Sequence, residues 1–309
     1  MKAIRINAYG PPSAMQLHDV PTPSVAPGDV LIKVAASGVN PVDFRIRAGL
    51  MAQRMPHQMP LTLGWECAGT IEAVGAQVTH FKHGDRVYSM PTFARGGTYA
   101  EFVAVEASQV ALMPRATSFS AAAGMPMSAQ AAWTAMEAAR LQPGQRVLIH
   151  GGAGGVGSLA LQLAKARGAH VTTTVAADDG ALVQSLGADA VIDYRSGRLA
   201  TDARDMDVVL DTLGGPTQEA SWGTLKRGGL LLALTQPPSP QRAEQAGVRA
   251  EFVMTLPSGE ALQRLSALVD SGALKPLACH EFSLADAVKV HELGEAGKLH
   301  GRTVLRVAL

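Results

Sequence analysis

The chain has 309 residues, 47% hydrophobic and 17% charged, which describes a folded chain long enough for two domains and excludes a disordered one. A net charge of +1 gives no electrostatic case for nucleic acid or an anionic membrane as partner. Two cysteines, Cys67 and Cys279, make no disulfide framework, and neither a signal peptide nor a run of about 18 apolar residues is seen, so a cytoplasmic protein without a membrane span is expected.

Residues 1–121 read as β-rich. Short apolar runs at 3–6, 30–35, 67–74, 86–89 and 99–105 are separated by turn signals such as Gly10-Pro11-Pro12, Gly28-Asp29, Gly84-Asp85 and Gly96-Gly97. Strands this short and this regular predict a small barrel or sandwich. From about residue 120 the texture changes. Residues 119–141 are alanine-rich and helical in propensity. Six strands then follow at 147–150, 170–175, 190–193, 207–211, 229–234 and 251–254, with helices near 181–186 and 217–225. Alternating strands and helices predict a doubly wound parallel sheet. The polar, proline-rich stretch 235–245 reads as a mobile loop. Beyond Pro257 come a helix at 260–271, a strand at 280–282, a helix opened by the Ser283/Asp286 capping box, and a last strand at 303–307. These strands cannot extend a finished parallel sheet. They are expected to return to the first domain, so residues 1–121 with 258–309 form one domain and 122–257 an insertion in it.

The chain is organised around the turn between the 147–150 strand and the helix after it. Gly152, Gly154 and Gly157 satisfy G-x-G-x-x-G, with Ala153, Gly155 and Val156 between them. The first glycine permits the sharp turn, the second lets backbone approach a pyrophosphate, and the third lets the helix pack on the strand. The anion would sit at the helix N-terminus, where free N–H groups and the dipole favour it. These six residues are the candidate pyrophosphate cradle.

Several segments together carry a family resemblance. They are SGVNPVDFRIRAG from Ser37, GWECAGTIEAVG from Gly64, FKHGDRVY from Phe81, GGTYAEFVAV from Gly96, the glycine-turn segment, LGADAVIDYRSG from Leu186 and GKLHGRTVL from Gly297. In this order they resemble the zinc-independent quinone oxidoreductase branch of the medium-chain dehydrogenase/reductase superfamily. The resemblance implies an α/β chain with a GroES-like β-barrel catalytic domain and an inserted Rossmann domain. It also implies a homodimer formed through the 251–254 strand.

Zinc-dependent relatives hold a catalytic metal on Cys, His and Cys. The matching places here are Asn40, Trp65 and the neighbourhood of Ser128. Amide, indole and hydroxyl groups do not make a tetrahedral zinc site. Cys67 lies in an apolar strand, where an inert buried thiol is expected. No bound metal is therefore expected, and without a Lewis acid the acceptor should already be electrophilic, a quinone or an α,β-unsaturated carbonyl.

An NAD-binding fold places an acid on the ribose diol about 19 residues past the last glycine. That place is Ala176, which argues for NADP(H). Tyr194 and Arg195 match the segment that meets the 2′-phosphate in the family, and Arg195 offers it a planar cation. Asp178 and Asp179 are ambiguous: they could repel a phosphate, hold a diol, or cap the following helix. Asn40 matches a family segment lining the nicotinamide cleft and is a candidate for cofactor binding and catalysis; Asp43 reads as structural, a partner for Arg45, Arg47 or a backbone turn. Trp65 is either a pocket wall that stacks on substrate or core. Ser128 and Gln130 are expected on a helix facing the cleft. Leu234, Met254 and Leu256 fall at the ends of the last strands, where ligands sit in such sheets.

The resulting expectation is an NADPH-dependent, zinc-independent reductase of quinones or enones acting on a small molecule. Two alternatives stay open: a zinc-less, NAD-using alcohol or aldehyde dehydrogenase-like enzyme, and a non-catalytic NADPH-binding sensor or structural protein.

Overall fold

Strand Asp29–Val39 is the spine of the N-terminal half. Cys67–Val74 and Phe102–Glu106 pair with it antiparallel, and so does Arg302–Arg306, with Leu305 opposite Ser37. Arg302–Arg306, late in the chain, thus pairs with a strand near its beginning. Cys279–Ser283 adds to Arg302–Arg306 in parallel, and Arg86–Ser89 with Val110–Leu112 extends the other side, giving a seven-stranded sheet. A three-stranded sheet of Gln16–Asp19, Lys2–Ile6 and Leu61–Thr62 accompanies it. Apolar side chains that alternate along these strands, among them Ile4, Ile32, Val34, Ile71 and Val103, form one buried core.

The computed structural model describes residues 1–299 and 301–307. Its chain divides into two compact units. The β-rich unit comprises Met1–Met127, Leu256–Asp270 and the residues from Pro276 onward, and the second comprises Ser128–Thr255 with Ser271–Lys275.

In the second unit six strands run parallel. Their order is Ala190–Asp193, His170–Val175, Arg146–His150, Met206–Asp211, Leu225–Ala233, Arg249–Phe252. Chain order reverses between Arg146–His150 and Met206–Asp211, and ligands of such sheets bind at that reversal, outside the C-terminal strand ends. Helix Gly155–Ala166 buries Leu159, Ala160, Leu163 and Ala164 of the face read from its periodicity, but Ser158, Leu161 and Gln162 are buried too and Val156 is only half-buried, so the helix is covered nearly all round.

Three local expectations need correction. The 235–245 stretch is not simply a loop: Pro240–Ala246 is a helix, with the Ser239 hydroxyl accepting from Arg242 N at 3.3 Å and Gly247 ending it at φ 66°. Parallel neighbours Leu225–Ala233 and Arg249–Phe252 require a crossover, and this helix supplies it. The 119–141 helix is two, Phe119–Ala123 and Pro126–Ala139, because Gly124 ends the first and Pro126 starts the second. The last parallel strand is Arg249–Phe252, so Met254 lies beyond it.

Candidate functional site

The glycine turn leaves the central strand at the point of reversal. A Cβ on Gly152 would lie 2.1 Å from Thr173 Oγ1, and one on Gly157 would lie 2.2 Å from Gly151 O. Neither place tolerates a side chain, because the turn lies against the neighbouring strand His170–Val175 and the helix start presses on the turn. Gly154 is the helix N-cap in extended conformation, followed by helix Gly155–Ala166. This helix start offers N–H donors at the ligand end of the sheet, and the cradle fits a pyrophosphate. Gly152 and Gly157 are buried, Gly154 is exposed, and Ala153, Gly155 and Val156 are half-buried.

The neighbouring strand ends carry the expected selectivity residues. His170–Val175 pairs with Ala190–Asp193, Val175 opposite Asp193. This register sets the turn Ala177–Asp179 beside the turn Tyr194–Ser196. Tyr194 is 59% exposed, and Arg195 is exposed too. The Arg195 Nε donates to the Tyr194 hydroxyl at 3.2 Å, and its guanidinium lies 5.2 Å from the Tyr194 ring centre. That hydroxyl foremost, with the carboxylates of Asp193 and Asp178 adding, holds the Arg195 pKa above its ordinary value. Ala176 is half-buried at the strand end. The capping reading of Asp178 and Asp179 fails: neither short helix here has a side-chain cap bond, because Asp179 is itself in helical conformation when helix Gly180–Ser185 begins. Leu234 is half-buried, and Met254 and Leu256 are 67% and 69% exposed, which removes the core alternative for both.

The β-rich unit holds a buried polar cluster around Asn40. Its Oδ1 accepts from Arg302 Nη1 at 3.1 Å, and its Nδ2 donates to Glu66 Oε1 at 2.7 Å. Arg302 Nη2 also pairs with Glu66 Oε1, and its Nε donates to Gly124 O at 2.7 Å. Glu66 Oε2 accepts from Met127 N at 2.8 Å. The Asn40 carbonyl and one of its side-chain N–H groups are thus both spent within the cluster. Asp43 closes the backbone turn that opens helix Pro41–Arg47, accepting from Asn40 N at 2.7 Å, while Arg47 pairs with Glu295. The Tyr99 hydroxyl stands between Asp43 Oδ2 at 3.1 Å and His291 Nε2 at 3.3 Å. Burial pushes the Asp43 pKa up to about 7, with Glu66 adding to the rise, and pushes His291 down to about 3, with Arg47 assisting.

Trp65 is corrected to core. It is 0% exposed, with its ring 5.4 Å from Phe93 and 5.8 Å from His57, so no face is left for a planar substrate. Ser128 and Gln130 are likewise buried, in helix Pro126–Ala139. Burial raises the Cys67 thiol pKa strongly and that of Cys279 to about 11, which makes both poor thiolate ligands. Among the described residues no three His, Cys, Asp or Glu side chains come together as a metal-binding group, and the Glu66 carboxylate is already taken by Arg302 and Asn40. The donor set does not fit zinc.

Arg302, Thr173, Thr174 and Asp211 were not singled out in the sequence. The one available hint was a charge, Arg302, immediately before the last strand read from the sequence.

Comparison with known proteins completes the description. Residues 26–115 match the alcohol dehydrogenase GroES-like domain, and residues 186–305 match a family described as zinc-binding dehydrogenase. The chain is 34% identical to a 2-methylene-furan-3-one reductase of Solanum lycopersicum, over 99% of this chain and 79% of that one. It superimposes on the quinone oxidoreductase of Coxiella burnetii with a TM-score of 0.91 at 33% identity, covering 100% and 99% of the two chains. It superimposes on Escherichia coli quinone oxidoreductase complexed with NADPH with a TM-score of 0.87 at 28% identity, covering 99% and 100%.

Proposed function

The chain belongs to the quinone oxidoreductase branch of the medium-chain dehydrogenase/reductase superfamily, and from that premise we propose an NADPH-dependent, zinc-independent reductase of quinones or α,β-unsaturated carbonyls. The observation that carries this reading is the glycine turn, where Gly152 and Gly157 leave no room for a Cβ and the helix Gly155–Ala166 begins. When bound, NADPH supplies the hydride. The chain's residues bind and orient it. N–H groups at the helix start meet the pyrophosphate, and Ala176 leaves the diol place without an acid. Arg195, with Tyr194 against its guanidinium, is assigned to the 2′-phosphate, and Leu234 and Met254 to apolar contact with the cofactor. The remaining Asn40 N–H is assigned to polarising the acceptor or holding the cofactor, and Arg302 and Glu66 fix its direction.

Zinc independence rests on the donor chemistry of Asn40, Trp65 and Ser128, which supply no thiolate, imidazole or carboxylate. Of the acceptor classes considered, quinones and enones need no Lewis acid, and the relatives include reductases of both. Among the described residues no helix is long and apolar enough to cross a membrane. The unpaired Cys67 and Cys279 support a reducing, cytoplasmic setting. Arg249–Phe252 is a sheet edge with Phe252 39% exposed, which supports a homodimer through that strand.

The deciding experiment mixes the protein, pretreated with a chelator, with NADPH and either 9,10-phenanthrenequinone or an enone. Absorbance of NADPH should decay at a rate the chelator leaves unchanged. NADPH binding without turnover on any acceptor would favour the sensor reading instead, and better turnover with NADH would refute the cofactor assignment.

A further inference from the structure

The central strand ends on a histidine that the proposed chemistry does not use. His150 is 1% exposed, between the glycine turn and the crossover that follows the next strand. Its Nδ1 lies 3.1 Å from Thr174 Oγ1 and its Nε2 lies 3.0 Å from Ser221 Oγ. Ser221 Oγ donates its own proton to Thr217 O at 2.7 Å, so toward the ring it accepts. Nε2 therefore carries the hydrogen, and Nδ1 accepts from the Thr174 hydroxyl. Thr174 Oγ1 in turn accepts from Gly151 N at 3.3 Å, and Thr174 O accepts from Gly151 N at 3.0 Å and Gly152 N at 3.1 Å. One directional chain of hydrogen bonds thus runs from the glycine turn through the imidazole to helix Pro216–Ser221. The His150 carbonyl adds a further tie, accepting from Thr212 Oγ1 at 2.7 Å.

We infer that His150 is a positioning residue for the dinucleotide: as a neutral Nε2–H imidazole it orients the Thr174 hydroxyl that accepts from Gly151 N, and so holds the start of the glycine turn to the strand beside it. Gly154 N donates to Gly151 O at 2.9 Å, so the amides left for the ligand are those of the helix start that follows, from Gly155. The inference rests on the dinucleotide reading above. Asp211, the nearby acid, does not hydrogen-bond the ring. Its carboxylate is spent on Leu213 N at 3.0 Å, Gly214 N at 2.8 Å and Gln218 Nε2 at 3.1 Å. The imidazole is held by two hydroxyls that suit its neutral form, and burial lowers its pKa to about 4 although Asp211 pulls the other way.

The test compares wild type with His150→Phe, which keeps a ring and removes both nitrogens, and with His150→Asn, which restores an acceptor and a donor. NADPH binding is measured by calorimetry, and amide exchange at Gly151–Gly154 is measured on the cofactor-free protein. Phe should weaken NADPH by roughly tenfold, the size of a lost hydrogen-bond pair, and accelerate exchange at the turn. Asn should recover part of both. At saturating NADPH the turnover of all three should stay similar, giving a KM effect without a kcat effect. Lowered thermal stability with NADPH affinity within twofold of wild type would overturn the inference, since that is what a purely structural histidine gives. Should Phe not fold, Ser221→Ala and Thr174→Val cut the chain on either side of the ring, and the same outcomes apply. If wild type binds no NADPH, the functional proposal fails, while exchange at the turn in the cofactor-free variants still decides whether His150 holds it.

Discussion

Replacing Arg302 by methionine would strand a carboxylate in the interior. Glu66 is 0% exposed, and its Oε1 receives both Arg302 Nη2 and Asn40 Nδ2. Without Arg302 the charge keeps two neutral donors, Asn40 Nδ2 at 2.7 Å and Met127 N at 2.8 Å, and no counter-charge. Gly124 O and Asn40 Oδ1 lose their donor at the same time. Breaking one side of a buried pair costs about 3–5 kcal/mol, because the remaining charge stays desolvated. For a unit of this size that lowers the melting temperature by about 10 °C. Removing both charges, with Glu66→Gln beside Arg302→Met, should restore most of the loss, since an apolar replacement of a whole pair is close to neutral. The assay is urea unfolding of wild type, both single variants and the double variant, followed by tryptophan fluorescence. The reasoning is refuted if Arg302→Met unfolds within 1 kcal/mol of wild type (about 1 kcal/mol being the worth of an ordinary hydrogen bond), or if the double variant is no better than the single.

Other outcomes follow from the same geometry. Gly157→Ala sets its Cβ 2.2 Å from Gly151 O, a backbone atom that cannot swing aside, so NADPH binding should fall by about tenfold or more in calorimetry. Asp178→Asn removes a negative charge from the turn beside Arg195 and should raise the NADPH-over-NADH ratio of kcat/KM by roughly threefold at low salt, less at high salt; Arg195→Ala should lower it, and an unchanged ratio in both would clear these residues of the role. Asp43 holds its proton up to about pH 7 when folded but only to its ordinary carboxylate range when unfolded. Its contribution is therefore greatest in acid and is lost as pH rises from about 4 to 7, so Asp43→Asn should gain stability relative to wild type across that window, read as the difference in urea midpoints.

Strand, turn and helix signals are local and were legible in both halves of the molecule: His170–Val175 and Ala190–Asp193 of the parallel sheet, and Cys67–Val74 and Arg86–Ser89 of the β-rich unit, coincide with the runs read from sequence. The Pro240–Ala246 helix was hidden by its prolines, although Ser239-Pro240 is a good helix start. Side-chain partners were far less visible. Glu66 meets Arg302 across 236 residues, and no local pattern encodes so distant a pair. Trp65 was ambiguous for a related reason: a large aromatic in an apolar stretch suits a wall or a core, and only packing against Phe93 and His57 decides. His150 was visible as the residue before the glycines, but its ring partners come from two other elements.

The pairing of Arg302–Arg306 with Asp29–Val39 also sets a timetable for synthesis. The parallel sheet is built from one uninterrupted stretch and can close while the ribosome is still working. The β-rich unit cannot, because Leu305 must find Ser37 across most of the chain. At about 5–20 residues per second the emerging Asp29–Val39 strand waits roughly 15–50 s for its last neighbour. Throughout that delay the edge it will offer stays open and Glu66 has no guanidinium, so the nascent chain carries an unpaired strand edge, a known aggregation liability, until Arg302–Arg306 emerges.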